Sequence, residues 1–409
     1  MFMKMNSASL SHAVAASTAV KKHISSSAVI RKFETHAFSN SRALIHALHP
    51  AVPTYLMRHA LVERVAIDFA QQFNGTTLYA VKVNPSRKVL ASLAKSGVSH
   101  FDVASLDEIQ LVRRYAPKAT LFFMHPVKAR EAIAEAYQHY GVRVFAVDCE
   151  NELTKIQQQT HNAKDLSYFV RLSLPHKSSA AIDLSQKFGA DFDEALALLQ
   201  AARPKAAKLG VTFHVGSQCM DPASYTQAIS YAASVIKASG VSVEMIDIGG
   251  GFAVAYPDMN PPSLGVYMAA IDAAFQDNKL LHLERFAEPG RALVATAGSL
   301  VVRVELRKDH LLYLNDGTYG GLFDAGKTVA FRFPCNAIRV TGDLSNQLLP
   351  FRFAGPTCDS LDMMEGPFYL PKDIDEGDYI EIGHMGAYSE CLRTGFNGYK
   401  NYLSFDIAE

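Results

Sequence analysis

From residue 54 onward the chain alternates a short apolar run with a longer helical stretch, and it does so eight times before the pattern changes. The runs lie at residues 78–83, 99–104, 121–124, 144–147, 168–174, 211–215, 244–248 and 283–287. Between them run amphipathic stretches of roughly 10–15 residues, such as 105–115 and 222–238. Eight strands, each followed by an amphipathic crossover, are the count of a closed parallel (β/α)8 barrel of the TIM type. The alternative, an open doubly wound sheet, lacks its dinucleotide signature here. Gly249-Gly250-Gly251 is not a GxGxxG leading into a βαβ unit.

After residue 293 the pattern becomes β-rich with short turns, at 300–306, 311–315, 337–341, 351–354 and 379–382. This predicts a C-terminal β domain, to which the strand-like residues 54–57 are expected to add. The organisation expected is therefore an N-terminal extension over 1–49, a barrel over 50–292 and a β domain over 293–409. The extension's main tract, residues 1 to about 40, is rich in Ser and Ala, and Lys4, Lys21, Lys22, Arg31 and Lys32 all precede the first acid, Glu34. It reads as a loosely ordered segment or a surface helix over 9–23, with organellar targeting as the alternative.

Charge and cysteine content exclude several classes. Forty basic and forty acidic side chains cancel, so no global field favours nucleic acid or an anionic membrane. No uninterrupted apolar run is long enough to span a bilayer. Five scattered cysteines without CxxC spacing fit reduced thiols in the cytoplasm rather than a disulfide framework. No HExxH, paired-cysteine, GxSxG or P-loop pattern occurs, so neither a metal site nor those chemistries are expected.

In a barrel, chemistry collects at the C-terminal ends of the strands. The first run ends at Lys82, within YAVKVN, where burial would lower the amine's pKa and free it to form a Schiff base. The sixth ends at His214, in FHVGSQ. The seventh runs into three glycines whose bare main chain suits a phosphate nest. The eighth ends Glu288-Pro289-Gly290-Arg291, setting a carboxylate near a guanidinium. Each has a plain structural reading: a solvated strand-end lysine, a satisfied core histidine, a tight turn, a surface ion pair. Together they point to one phosphorylated aldehyde cofactor, pyridoxal phosphate. The β domain adds Cys358 and Asp359 in GPTCDSLD, which could supply a proton donor and a cation-binding acid or simply form a strand-to-turn junction with a buried cysteine, and Tyr388 in a Gly/Ala turn.

These motifs occur in an order that resembles the alanine-racemase-type (fold type III) barrel decarboxylases, and within them the ornithine/lysine decarboxylases. YAVKVN, FDVAS, HVGSQ, DIGGGF, EPGR, GPTCDSLD and GAY carry the resemblance, which runs from about residue 54 to the C-terminus. It implies that Lys82 carries the cofactor and that His214 stacks on its ring. Ser217, Gly250, Gly251, Arg291 and Tyr388 would hold the phosphate, with Pro289 and Gly290 beside them. Glu288 would pair with the ring nitrogen. Asp102 and Glu108 would support the site from beneath, and Arg171 would stand on the barrel wall nearby. Cys358 would return a proton to Cα, and Asp359 would bind the substrate's distal ammonium, with Phe323 and Asp324 completing that pocket.

A carboxylate at the ring nitrogen strengthens the electron sink, which favours a decarboxylase over a racemase. The substrate the resemblance implies is L-ornithine, giving putrescine for polyamine synthesis; lysine, diaminopimelate and carboxynorspermidine are the alternatives. A non-catalytic regulatory homologue is the alternative of another class. The resemblance also implies a homodimer with shared sites, Lys82 from one subunit and Cys358 and Asp359 from the other. Lys187 and Asp362 are expected to form an ion pair between the subunits.

Overall fold

A computed structural model describes residues 38–175, 180–182 and 187–408 of the chain. The surface helix expected over 9–23 lies outside the described residues. Eight parallel strands close into a barrel in sequence order: Thr76–Ala80, His100–Val103, Thr120–Phe123, Val144–Val147, Ser167–Arg171, Lys208–Thr212, Met245–Asp247 and Glu284–Ala287. The last pairs with the first, Phe286 opposite Thr76 and Ala287 opposite Thr77, and this closes the ring. All eight apolar runs became strands of the barrel, as the alternation required. Several end earlier than expected: the first stops at Ala80, the fifth at Arg171 and the sixth at Thr212.

The strands show why each run is apolar throughout. One set of residues points outward under the helices, Tyr79, Phe101, Phe123 and Phe145 among them. The alternate set fills the barrel, with Leu78, Phe122, Phe169, Met245 and Phe286 fully or almost fully buried. Phe122, Phe169 and Phe286 meet with ring centroids 5.2–5.9 Å apart, so the lower barrel is solid and leaves only its upper end for a ligand. Several helices begin on side-chain caps. Ser105 accepts from the Glu108 N–H, and Asp191 and Glu194 form a reciprocal capping box.

The C-terminal domain is an eight-stranded mixed sheet. Thr54–Met57 joins it, lying antiparallel to Gly298–Lys308 and parallel to Leu403–Asp406. The strands Met363–Pro371 and Leu403–Asp406 went unread in the sequence, as did a two-stranded ribbon of Ala180–Ile182 and Ser217–Cys219 above the barrel. Residues 38–49 are not loosely ordered. Asn40 caps a helix, Ser41–Leu48, whose Leu44 and Ile45 are fully buried against Val301, Ile338 and Phe405 of the sheet. No helix among the described residues is long and apolar enough to cross a membrane.

Candidate active site

At the upper mouth of the barrel lies a cavity of about 440 Å³, and the residues at the strand ends converge on it. Lys82 does not end a strand as expected. It sits in a 3-10 turn, Val81–Val83, that directs its ammonium back across the mouth to Asp102 Oδ2 at 2.8 Å. Burial pulls its pKa down, but Asp102, with Tyr388 and Glu288 beyond it, outweighs that and holds it above the usual lysine range. Burial alone therefore does not free the amine as expected: beside Asp102 it is held in the charged form. Its side chain is 45% exposed, and it lines the cavity. Glu108 stands behind Asp102 and does not line the cavity; its Oε2 accepts from the Ala104 N–H at 2.7 Å. Burial first, with help from Asp102, pushes its carboxyl up to about 7.

His214 falls two residues past the end of its strand. The Gly216 N–H donates to its Nδ1 at 2.9 Å, which leaves the proton of the neutral ring on Nε2. Burial, then the charges of Arg171 and Lys82, push its pKa down to about 3, so the ring is neutral near pH 7. That suits a stacking ring better than an acid. The glycine loop is packed without spare room. A Cβ on Gly250 would stand 2.5 Å from the Glu288 carbonyl oxygen, and one on Gly251, with φ of +104°, 2.4 Å from that of Gly216. Glu288 closes the floor; burial, then Asp247 and Asp102, push its carboxyl well up.

Arg291 lines the same cavity and is 5% exposed. Its Nη1 donates to the Tyr256 hydroxyl at 3.1 Å, and Tyr388 packs on its guanidinium plane at 4.9 Å. Its Nη2 pairs with Asp324 Oδ2 at 2.8 Å. Asp324, expected in the substrate pocket, is thus committed within the same chain to the guanidinium, and it does not line the cavity. Phe323, its neighbour, is 42% exposed and also lies off it. The Arg291 Nε is buried and meets no acceptor among the described residues. Ser217, Gly290 and Arg171 line the cavity as expected, and so does Lys187, which was expected at a subunit interface; Pro289 stands back from it, its carbonyl accepting from the Ala80 N–H. His125, Pro126 and Phe188 also line it, although the sequence singled out none of them; Phe188 lies under Lys187 at 4.9 Å and Arg171 at 5.7 Å.

The β-domain residues stand elsewhere. Cys358 and Asp359 do not line the Lys82 cavity of their own chain, and the Cys358 side chain is exposed. Asp359 accepts from the Tyr319 hydroxyl at 2.5 Å and from the Leu361 N–H at 2.9 Å. The Tyr319 contact, then the Leu361 N–H, hold its carboxyl below the usual range. Asp362 is 2% exposed and accepts four hydrogen bonds within its own chain, from the N–H and hydroxyl of both Thr318 and Thr357. These bonds tie the 357–362 turn, which carries Cys358 and Asp359, to the 316–321 loop.

An amine aimed into a cavity, a neutral imidazole, a glycine loop, an unfilled guanidinium N–H and a buried acid fit a ring-bearing phosphorylated aldehyde. The described residues therefore match pyridoxal phosphate in each of its functional groups. Comparison with known proteins agrees. Residues 59–295 match the family model described as pyridoxal-dependent decarboxylase, pyridoxal binding domain. The ornithine decarboxylase of Schizosaccharomyces pombe is 34% identical over 355 residues, spanning 81% of this chain and 78% of its own. Among solved structures, the arginine decarboxylase of Paramecium bursaria Chlorella virus superposes with a TM-score of 0.78 at 27% identity. The match covers 89% of this chain and 98% of that one. The lysine/ornithine decarboxylase of Vibrio vulnificus, complexed with putrescine, gives 0.76 at 29%, covering 89% and 97%. The chain belongs to the pyridoxal-phosphate-dependent decarboxylases of basic amino acids.

Proposed function

We propose that this decarboxylase acts on L-ornithine, releasing carbon dioxide and putrescine, as a homodimer whose two sites each draw on both subunits. The observation that carries the reading is the placement of Asp359. It is an ionised carboxylate beside the exposed Cys358, it meets no lysine or arginine among the described residues, and it stands away from Lys82 of its own chain. Such an acid suits a free ammonium, and a second copy of the chain is what would carry it to a Lys82 cavity. Asp324, already paired with Arg291, leaves Asp359 as the carboxylate for the distal amine. The free cysteines support a reducing compartment, the cytoplasm.

When bound, pyridoxal phosphate supplies an electron sink for the pair left behind as carbon dioxide departs. The chain's own groups would do the rest. Lys82 would hold the cofactor, steered by Asp102 and by Glu108 behind it, and the neutral His214 would lie against its ring. Ser217, the glycine loop, Arg291 and Tyr388 would hold the phosphate, with Pro289 and Gly290 shaping the turn that delivers Arg291. Glu288 would keep the ring nitrogen protonated, and Arg171 faces the cavity from the barrel wall. Cys358 of the partner subunit would return the proton to Cα.

The test is carbon dioxide release from ornithine, lysine, arginine, diaminopimelate and carboxynorspermidine by protein saturated with pyridoxal phosphate. Ornithine should give the highest kcat/KM. A higher value for another amino acid overturns the ornithine reading, and no release from any of them overturns the enzymatic one.

A further inference from the structure

The reading above gives Asp247 no part, although it is fully buried at the end of a barrel strand beside the cofactor cavity. Met245–Asp247 lies parallel to Glu284–Ala287 with Asp247 opposite Phe286, so Glu288 emerges two residues farther along the neighbouring strand. The two acids are stitched through one glycine. The Gly249 N–H donates to Asp247 Oδ1 at 2.8 Å, and the Glu288 N–H donates to the Gly249 carbonyl, also at 2.8 Å. The two carboxyl groups lie close enough for the charge of Asp247 to push the Glu288 carboxyl up. Yet Asp247 Oδ2 and Glu288 Oε1 are buried and meet no N–H or O–H donor among the described residues.

Two bare carboxylates cannot hydrogen-bond, since each only accepts. One proton held between them would let one acid donate to the other and relieve the repulsion of two like charges buried side by side. The surrounding charges do not remove the need for it. Lys82, in the turn after the first strand, is committed to Asp102 on the second. Arg171, at the end of the fifth, is the least of the influences on Asp247, and His214 is neutral. Burial raises both acids, and so does the negative charge of Asp102; Asp247 further raises Glu288.

We propose that Asp247 and Glu288 share a single proton, and that Asp247 is a positioning residue which, with cofactor bound, keeps that proton and donates it to Glu288. The inference rests on the assignment of Glu288 to the ring nitrogen made above. In the empty site the pair carries one negative charge. With a protonated ring nitrogen in place, Glu288 accepts its N–H and the shared proton settles on Asp247. No proton enters or leaves the pair. The hydrogen bond from Asp247 makes Glu288 a weaker base, so the proton between Glu288 and the ring stays on the ring. The same residue, through Gly249, fixes the start of the glycine loop, and so couples the floor of the site to its phosphate end.

Two measurements test this. The first is infrared spectroscopy of cofactor-free protein at neutral pH. The wild-type-minus-variant difference spectrum, taken against the Asp247→Asn/Glu288→Gln double variant so that other buried acids such as Glu108 cancel, should contain the C=O stretch of a buried carboxylic acid; a difference spectrum without it overturns the shared proton. The second is 15N NMR of protein loaded with ring-15N pyridoxal phosphate. The Asp247→Asn amide still donates to Glu288 and should keep the protonated-nitrogen signal. Asp247→Leu has no donor, so its signal should move toward a neutral ring. Its kcat should fall about tenfold or more with KM little changed, and Asn should restore most of that loss. Asn behaving like Leu, or Leu like the wild type, overturns the positioning role. Glu288→Gln in the same spectra separates the two readings. An unchanged ring signal there defeats the Glu288 assignment, whereas the infrared band of the empty protein decides the shared proton independently.

Discussion

Complementation between two inactive variants offers the sharpest test of where the active site lies. Lys82→Ala removes the amine from the barrel cavity, and Cys358→Ala removes the thiol from the exposed turn of the β domain. The two changes lie in separate parts of the fold. Cys358 is exposed, so its truncation leaves no core cavity, and melting curves of both variants would establish that each is folded. Alone, each homodimer should be nearly inactive, since every shared site lacks one of its two groups. Mixed in equal amounts and allowed to exchange, half the dimers are heterodimers. Each of these has one site with both groups removed and one with both intact. Half the dimers with one working site of two gives about a quarter of wild-type activity. The assay is carbon dioxide release as a function of mixing ratio, with exchange followed by a tag on one variant. No recovery despite confirmed exchange would place the whole site within single chains, and the argument from the exposure of Cys358 would fail.

Other outcomes follow from the same geometry. Purified protein should carry the visible absorbance of a cofactor joined to Lys82, shifted by borohydride and absent from Lys82→Ala; an unchanged spectrum in the variant refutes that attachment. Glu288→Gln should lower kcat about a hundredfold, from about 3 kcal/mol of electrostatic stabilisation lost in the reaction, with little loss of cofactor binding; a fall under about tenfold refutes the electron-sink role. Asp324→Ala strips a buried guanidinium of its partner, a loss of about 3–5 kcal/mol in stability and cofactor retention, whereas KM for ornithine should hold. A raised KM with stability intact would return Asp324 to the substrate pocket. The unfolded His214 takes up a proton below its ordinary pKa of 6.5, but the folded one does so only below about 3. Cofactor-free wild type should therefore lose stability relative to His214→Asn as pH falls through that window, by up to about 1.4 kcal/mol per pH unit. Parallel denaturant curves for the two proteins between pH 6.5 and 4 would disprove the depressed value.

The barrel was legible in the sequence because its strands are covered on both faces, so that residues such as Leu78 and Tyr79 are both apolar and each strand stands out as a continuous run. The C-terminal sheet was read less completely. Met363–Pro371 contains a glycine and two prolines, and Leu403–Asp406 is four residues long with only Phe405 buried, so neither presents a clear run. The N-terminal helix is eight residues long, too short for its composition to distinguish it from the tract before it; its burial against the sheet comes from Val301 and Ile338, some 250 residues or more away in the chain. For the site, strand-end position was the usable signal. Lys82, His214, Glu288 and Arg291 all follow barrel strands, and a closed barrel brings every such end to one mouth. Asp247 carried the same signal, as the acid before three glycines, and went unread because the glycines accounted for the motif.

Residue type and periodicity alone established which segments are the barrel's strands, their order around it, and that Lys82, His214, Glu288 and Arg291 gather at its mouth. Periodicity reports which face of an element is buried, and barrel closure then follows from the count. Partner choice among polar groups lay outside its reach. That Asp324 pairs with Arg291, that Asp362 accepts four hydrogen bonds inside its own chain, and that Lys82 stays charged against Asp102 were decided by tertiary packing. The reason is physical. A buried charge must find a partner or give up its charge, and the partner it finds depends on the few ångströms between side chains that folding sets, which no spacing along the chain records.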